Sequence, residues 1–554
     1  MTTPTIDNSV FVRLDEIWEN GQETRDARNR ARRAKPRIRL WDGDWKFVGT
    51  IHGAIEGKFQ WKLNDTGEGT IKIPTGIWIS TWIRDAPKRK ARNIHVTMDK
   101  DGARWGGRLK RSELVKDSDG KTYMLLTFLH DFEELKHIYC WPNPFLPAAV
   151  QFPRSFVLAG PTAWVLKMML HVNLLRLNGN LWALPDDPLD LKQWGAAFDQ
   201  SQWPIVVAPG ALIGDSSPWT VVSSRMKLWS DVAAPGLADA QLSVECRRWL
   251  EGDPPPWEGA NLRSGTLVVD IVDKSGWWSP EGTSRWGSVW TGLVRSVQSV
   301  VGEVDVRETV IDEPVEVPEY RDKDWLGTNP HAPYVIYREG HLTGVKSSDF
   351  SWDPATSVQE IAGGHSMPGV NEGISAAVQL AGNYLGTMVM VPGAGEIADT
   401  FLSPIYSDTI LAWMTIKSLQ RAEAAGWSRY QEHFAQGADR GYTLSALVAL
   451  RQGFWETRER FSHKLEINDG APWFIGDKGH GHFFIGDRIG GAIKNLPSGE
   501  IVVEQVTDLT YAFDRSSRGW SATCGDPTSQ HSPLEIILSE VKGLSAVIHD
   551  LGLV

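Results

Sequence analysis

The sequence has few cysteines and no cysteine motif. Among its 554 residues there are three, Cys140, Cys246 and Cys524, which lie far apart and form no C-x-x-C pair. This excludes a zinc ribbon and argues against a fold that depends on disulfides. We therefore expect the chain to fold in a reducing cytosol.

Long apolar runs are also missing. No segment reaches the roughly 18 apolar residues of a membrane-spanning helix. The N-terminal sequence MTTPTIDNSVFVRLDEIWENG has no basic stretch followed by an apolar one, so it does not resemble a secretory leader. We expect neither a membrane span nor export through the secretory pathway.

Positive charge is in the minority. The chain has 57 Lys and Arg against 68 Asp and Glu, which gives a formal net charge of -11 and a pI near 5.7. A protein that binds nucleic acid along its body usually shows a basic surface instead. General nucleic-acid binding by the whole chain is therefore disfavoured.

Glycine, proline and tryptophan are abundant, with 53, 31 and 27 residues. This mixture favours many short strands, frequent turns and large aromatic anchors. Hydrophobic residues make up 42% of the chain, as in folded soluble proteins. The length exceeds what one core accommodates. We predict a mainly β, multidomain protein with some α-helix.

Changes in pattern along the chain predict its domains. The hairpin signal Asp42-Gly43 lies between IRLW and WKFVGTI, and an acidic, proline-bearing stretch at 311–325 indicates a boundary. We predict a charged N-terminal arm (1–36), a small β-barrel or sandwich (37–150), a mostly β middle domain with a buried helix at 161–177 (151–325), an α/β domain (326–455), and a β domain with a C-terminal helix at 533–551 (456–554).

Further helices are expected within the α/β domain. Asp353 and Pro354 begin a short helix that ends at Gly363. A second helix runs from Asn371 to Gly382. Residues 408–434 are expected to be mostly helical because several apolar residues recur at helical spacing, and residues 443–450 form another short helix.

The N-terminal arm carries a basic run, opposed locally by Asp26. Its members are Arg25, Arg28, Arg30, Arg32, Arg33, Lys35, Arg37 and Arg39. A solvated helix or arm needs no partner to explain such a run. The alternatives are an arm that docks on an acidic neighbour and, less well supported, an arm that contacts nucleic acid. We predict that deletion of residues 1–35 leaves the body folded.

No motif supports catalysis, a metal or a cofactor. The string Gly364-His365-Ser366-Met367-Pro368 lacks the last glycine of a nucleophile elbow. Gly393-x-Gly395 lacks the lysine and third glycine of a phosphate loop. His480 and His482, with Asp477 and Asp487 nearby, are better explained as a glycine-rich hairpin tip than as metal ligands. We predict no catalytic, cofactor-binding or metal-binding residue, no cofactor, and a protein that is not an enzyme.

The tryptophans leave a second interpretation open. Indole faces stack on sugar rings, but Trp41, Trp45, Trp105, Trp164 and Trp413 lie in strand or helix patterns that favour anchoring in a core or interface. Paired carboxylates for glycoside cleavage need only meet in space, so the sequence leaves them open.

Several strings resemble one known family. They are LNDTGEGTIKIP (63–74), WPNPFLP (141–147), GYTLSALVALRQGFWETR (441–458), HKLEINDGAPWF (463–474) and GHGHFFIGDRIG (479–490). Together they are similar to the minor tail proteins of actinobacterial, mycobacteriophage-like siphophages, the tail-associated baseplate hub family. The resemblance spans most of residues 36–550, is only general at 180–330, and carries over no catalytic residue.

The resemblance implies a structural role in the virion. It implies that the β-barrel domain at 37–150 is a hub domain at the tail tip, commonly in a homotrimer, assembled in the host cytoplasm. The implied partners are the distal tail protein, the tape measure protein, other minor tail proteins and the host cell envelope, with phage DNA only in transit. The hub would join tail tube and tape measure to peripheral tip proteins. We further expect that deletion of the arm weakens incorporation into particles.

Two other functions remain as alternatives. A glycan-binding adhesin at the tail tip would show a row of exposed tryptophans in a groove. A wall-degrading hydrolase would show two carboxylates lining a cleft at catalytic separation.

Overall fold

The computed structural model describes most of the chain. The described residues are 8–118, 120–153, 155–179, 199–274, 278–279, 282–283, 310–311, 335–338, 344–364, 412–435, 444–468, 470, 473–492 and 501–525. The predicted helices at 371–382 and 533–551 lie outside them, as do Ser366, Gly393 and Gly395. None of the described helices is long and apolar enough to cross a membrane.

Six α-helices occur in the described residues. They are α1 (Asn8–Arg33), α2 (Trp78–Arg84), α3 (Thr162–Gly179), α4 (Trp229–Asp239), α5 (Leu419–Ala424) and α6 (Leu444–Glu456). The helix α3 lies where the sequence predicts a buried helix, and α6 begins one residue after the predicted start at 443. Buried residues occur around much of α3, because it lies between a sheet and another helix.

Strands dominate the described residues, which confirms the mainly β prediction. They are β1 (Arg37–Trp41), β2 (Phe47–Thr50), β3 (Glu56–Lys62), β4 (Glu68–Pro74), β5 (His95–Lys100), β6 (Ala103–Lys116), β7 (Thr122–His130), β8 (Tyr139–Cys140), β9 (Phe156–Pro161), β10 (Ile205–Val207), β11 (Trp219–Ser224), β12 (Lys227–Leu228), β13 (Leu242–Arg248), β14 (Leu267–Asp273), β15 (Trp278–Ser279), β16 (Gly282–Thr283), β17 (Val310–Ile311), β18 (Ile336–Arg338), β19 (Val345–Asp353), β20 (Gln359–Gly363), β21 (Trp413–Lys417), β22 (Glu432–Phe434), β23 (Arg460–Asn468), β24 (Arg488–Ala492), β25 (Ile501–Phe513) and β26 (Arg518–Cys524).

One large sheet joins the two ends of the described chain. Its order is β19-β23-β26-β25-β3-β4-β7-β6-β5-β1-β2, with β17 and β24 paired to β25 and β18 paired to β24. The pairing of β25 with β3 is antiparallel, with Leu509 opposite Trp61. The order runs openly from β19 to β2, so no closed barrel is found among the described strands. The predicted domain boundaries stay predictions, and this sheet contains strands of both the first and the last predicted β domain.

Alternation of apolar and polar residues explains how this sheet forms its core. In β4, Ile71 and Ile73 are fully buried while their neighbours are partly exposed. The Trp105 indole of β6 packs edge-on against Phe59 and donates a hydrogen bond of 2.8 Å to the Gln60 carbonyl oxygen. This matches the period-two pattern of a sheet with a buried face. Helix α2 adds Ile79 and Ile83 to the same core.

A second core lies beside the large sheet. It is formed by α3, α4 and the three-stranded sheet β10-β14-β13, in which β10 is parallel to β14. The two-stranded sheet β9-β11 packs on α3. Trp229 begins α4, is fully buried, and donates a hydrogen bond to the Leu166 carbonyl oxygen of α3 at 3.2 Å.

A small third core corrects two helix predictions. Residues 359–363 form strand β20 rather than the end of a helix, and 408–434 contains strands β21 and β22 with only the short α5 between them. The sheet order is β21-β20-β22. The helix predictions were wrong because Met414 and Ile416 pack at period two on α6, a spacing hidden among apolar residues that also fit a helix.

Candidate functional site

The two largest cores meet at a junction of buried charged residues. Arg248, at the end of β13, is 3% exposed and donates two hydrogen bonds to Asp131 Oδ1, at 3.0 Å and 2.8 Å. Its Nη1 donates to the Gly265 carbonyl oxygen at 3.1 Å. Asp131 follows β7 and is 1% exposed. The pair therefore links the large sheet to the second core through a fully desolvated contact.

Arg104 provides a second link across the same junction. It lies on β6 of the large sheet, donates to Asp99 Oδ1 at 2.6 Å, and forms an ion pair with Asp253, which follows β13. Its Nη1 also donates to the Arg248 carbonyl oxygen at 3.0 Å. Hydrogen bonds between ionised groups are directional and strong when buried, so they fix how the two cores are oriented.

The tip of the first hairpin inserts into this junction. Trp45 lies in the turn between β1 and β2 and stacks on the His95 ring, with ring centroids 4.6 Å apart. The Arg248 guanidinium carbon lies 4.5 Å from the Trp45 ring centroid, within cation–π range. Gly265 faces the indole so closely that an added Cβ would lie 2.4 Å from it. Burial, and then the Arg248 charge, lower the pKa of His95 to about 3.

Two of the recognised strings supply residues to the junction. From 63–74, Asn64 donates to the Leu242 carbonyl oxygen at 2.7 Å and accepts from the Val244 amide at 2.8 Å, so its side chain pairs with the edge of β13. From 479–490, Asp487 lies 3.4 Å from Lys274, the residue that follows β14. Both strings therefore contribute to the contact between the large sheet and the second core.

Three of the four residues weighed as metal ligands have other partners. His482 Nδ1 accepts from the Phe474 amide at 2.9 Å, Asp477 lies 3.5 Å from Arg247, and Asp487 Oδ2 accepts from the Phe484 amide at 2.7 Å. Within the described ranges, no three His, Cys, Asp or Glu side chains are placed to hold a metal ion. The prediction of no metal site stays a prediction for the chain as a whole.

The N-terminal arm is an α-helix held at its last turn. The Lys100 ammonium donates to the carbonyl oxygens of Ala31 and Arg32 at 2.7 Å and 3.1 Å, and Arg518 donates to that of Arg33 at 3.0 Å. A helix C-terminus exposes unpaired carbonyls and partial negative charge, which cations satisfy. The Arg32 guanidinium also lies 4.1 Å from the Phe474 ring centroid.

Most side chains of α1 whose burial is described are exposed, including large apolar ones. Leu14, Ile17 and Trp18 are 55%, 62% and 63% exposed. Their spacing of three and four residues places them on one side of α1. A water-exposed apolar stripe on a helix anchored at one end is typical of a docking element.

The tryptophans divide between core and surface. Trp41 and Trp105 are buried in the large sheet, and Trp164 packs against the second core, as their patterns predict. Trp413 is 50% exposed, so its predicted place in a core is wrong, while anchoring in an interface stays a prediction. It lies on β21 and its ring contacts Phe434 of β22.

The sequence analysis did not predict the junction residues. Arg104 and Arg248 occupy buried positions within strands β6 and β13, and Asp131 is buried directly after β7. A charged residue at an inward position of a strand is the one signal that could have identified them. Their partners, however, lie more than a hundred residues away along the chain.

The architecture is mostly β, with two cores linked by a charged junction. The chain belongs to the family described as Siphovirus ReqiPepy6 Gp37-like protein, whose model matches residues 37–526. The match begins at the first residue of β1 and leaves α1 outside. The chain is 34% identical to Minor tail protein Gp28 of Mycobacterium phage L5 over 97% of this chain and 98% of that protein. It is 33% identical to Minor tail protein Gp28 of Mycobacterium phage D29 over 98% and 99%. The resemblance seen in the sequence is confirmed.

Solved structures offer only a distant likeness. The tail protein from Neisseria meningitidis MC58 matches with a TM-score of 0.38 and 10% identity, over 89% of this chain and 97% of that one. The 43 kDa tail protein of prophage MuSo2 from Shewanella oneidensis matches with a TM-score of 0.39 and 8% identity, over 89% and 100%. These scores are too low to carry an argument about assembly.

Proposed function

We propose that the chain is a structural minor tail protein that forms the hub of a siphophage tail tip. In this role it joins the tail tube and tape measure to peripheral tip proteins and sits at the tip of the virion tail after assembly in the host cytoplasm. The observation that carries the proposal is the arm: α1 is fixed to the body at its last turn and presents apolar side chains to solvent.

The charged junction supports the same role. A hub holds the tail tube and the tip proteins in a fixed relative position. Its own parts must therefore keep a fixed mutual orientation. Buried ion pairs add little net stability but penalise any arrangement that leaves a charge unpaired. The pairs Arg248–Asp131 and Arg104–Asp253 are suited to that function.

The proposed partners follow from family membership and from the arm. We infer a homotrimer that contacts the distal tail protein, the tape measure protein and other minor tail proteins, with phage DNA passing only in transit. The basic second half of α1 favours an acidic neighbour for the arm. The proposal includes no catalytic step and no cofactor.

Location in the particle tests this proposal. Particles carrying an epitope-tagged chain are labelled with antibody-gold, and the purified chain is measured by light scattering over a concentration series with negative-stain imaging. We expect gold only at the tail tip and a trimeric, ring-like species in solution. Gold along the tube, or on no part of the particle, would overturn the hub role.

A further inference from the structure

A small exposed surface on the third core has the composition of a ligand site. It is the outward face of the sheet β21-β20-β22, which we call the aromatic face. Its seven side chains come from the two outer strands and the central one: Trp413, Thr415, Lys417, Gln359, Ile361, Glu432 and Phe434. The opposite face of the sheet packs on α6.

The aromatic end of this face is built across a glycine. Trp413 is paired with Gly363 of the central strand, and Phe434 lies on the far strand. Because Gly363 has no side chain, rings from both outer strands can meet, with centroids 5.9 Å apart at 70°. They nevertheless remain 50% and 47% exposed. An edge-to-face pair that stays half exposed presents a stable apolar surface to a ligand.

The other end of the face is polar and balanced in charge. Lys417, Gln359 and Glu432 form one row across the three strands. Gln359 donates a hydrogen bond to Glu432 Oε1 at 3.0 Å. The row therefore offers an ammonium donor, an amide and a carboxylate acceptor with no net charge. Trp413 lies four residues along β21 from Lys417, about 13 Å away, and Phe434 lies two residues along β22 from Glu432.

A buried network beneath the face holds it rigid. Glu360, on the inward side of β20, accepts from Ser357 Oγ at 2.6 Å and Thr457 Oγ1 at 2.7 Å, and its other oxygen lies 2.6 Å from His433 Nδ1. Glu360 is fully buried. His433 precedes Phe434, so the network fixes the strand that carries the second ring. A preorganised surface loses less entropy on binding.

We propose that the aromatic face binds a neutral oligosaccharide of two or three sugars. The apolar faces of pyranose rings stack on the exposed rings, while their hydroxyls, which both donate and accept, pair with the mixed polar row. The length of the face matches a few linked rings. Nothing in the proposed hub role requires this site.

Size and charge disfavour other occupants. Three strands about 4.8 Å apart and five residues long cover on the order of 200 Å², whereas a stable protein interface needs roughly 800 Å² per partner. A second copy of the chain therefore fits poorly. Single-stranded nucleic acid also stacks on aromatic rings but needs a basic groove, and here Lys417 is offset by Glu432.

The test uses the purified full-length chain and three neutral probes, maltotriose, cellotriose and N,N′,N″-triacetylchitotriose. Binding is followed by tryptophan fluorescence and by saturation-transfer NMR. We expect at least one probe to bind with a Kd on the order of 1 mM. Trp413→Ala should weaken that binding at least tenfold. Trp352→Ala, which removes an equally exposed tryptophan from strand β19 of the large sheet, should leave it unchanged.

A second variant distinguishes a loss of sugar binding from misfolding. Glu432→Gln keeps the shape of the polar row and removes its charge, and it should weaken the same binding severalfold while circular dichroism stays that of the parent. The proposal is overturned if no probe binds up to about 10 mM, or if Trp413→Ala binds as the parent does. It is also overturned if Trp413→Ala abolishes self-association instead of sugar binding. Because the assay uses no particles, its failure does not bear on the hub role.

Discussion

The Arg248 guanidinium donates two hydrogen bonds to one oxygen of Asp131, and the second core is held to the large sheet through that contact. An added Cβ on Gly106 would lie 2.0 Å from Asp131 Oδ2, so the backbone of β6 closes directly over the carboxylate. Asp131 and Arg248 are 1% and 3% exposed, so bulk water does not reach the pair. The pair therefore behaves as a structural element rather than as a surface ion pair.

Removing one member of this pair should be costly. Asp131→Ala removes the hydrogen-bonded carboxylate of the buried Arg248 guanidinium and leaves it only Glu134, at 3.5 Å, as an ionic partner. We expect a loss of about 3 to 5 kcal/mol in the free energy of unfolding, measured by urea denaturation. The control is Asp85→Ala, which removes an exposed ion pair with Lys88 and should leave the unfolding midpoint unchanged. Equal midpoints for the two variants would contradict the assignment.

Gly265 should tolerate no side chain. It has φ of +96° and faces the Trp45 indole, so Gly265→Ala both strains the backbone and displaces the ring from His95 and Arg248. We expect a loss of about 2 to 4 kcal/mol on urea unfolding. Gly259→Ala is the matched control, because its φ is +78° but no atom lies within 4 Å of its added Cβ. Gly259→Ala should lower the free energy of unfolding by only about 1 kcal/mol, because it strains the backbone without a steric clash.

Acid should destabilise the fold through three buried histidines. Burial lowers the pKa of His95 to about 3 and the pKa values of His130 and His463 to about 4. The unfolded chain takes up these protons near pH 6.5, so stability is complete above that pH and falls between pH 6.5 and 4. Each histidine contributes up to about 1.4 kcal/mol per pH unit.

Unfolding free energies measured from pH 7.5 to 4.5 test this slope. His130→Asn keeps an acceptor for the Phe132 amide, which His130 Nδ1 now binds at 3.3 Å, and it removes one titrating group. We expect a shallower slope, by up to about 1.4 kcal/mol per pH unit. An unchanged slope would show that His130 does not titrate between the folded and unfolded states in this range.

The arm should be needed for assembly and dispensable for folding. Deletion of residues 1–35 should leave the unfolding midpoint of the body unchanged, because Lys100 retains Asp101 as a partner at 3.0 Å. Incorporation into particles, measured by quantitative immunoblotting, should fall at least tenfold. A Leu14→Ala, Ile17→Ala, Trp18→Ala variant should reproduce much of that loss. Normal incorporation of the deleted chain would refute docking by the arm.

Local chemistry explains which parts of the fold could be predicted. The alternation in GTIKIP specifies β4, and Asp42-Gly43 specifies a tight turn, because both depend on neighbouring residues. The strand β20 was missed since it is five residues long and pairs with β21, which lies some fifty residues further on. Short strands take their conformation from partners, and local propensity is a weak guide to them.

The same contrast between local and distant partners applies to the candidate functional sites. The absence of a catalytic motif and the basic character of the arm could be read from the sequence. The aromatic face could not, because Trp413 and Phe434 meet only after two strands pair with a third. The junction was equally hidden, since Arg104 and Asp253 are brought together from positions 149 residues apart.

The pairing of β3 with β25 also governs when the protein becomes complete. Gln60 and Asp508, which are hydrogen-bonded across these strands, lie 448 residues apart in sequence. During synthesis, β3 must wait for almost the whole chain before its edge is covered, and an unfinished polypeptide leaves that edge open. The N-terminal half of the sheet is thus complete only after the C-terminal strand β25 has been synthesised. A chain that ends before β25 therefore cannot form the central pairing of the sheet on which the arm is seated.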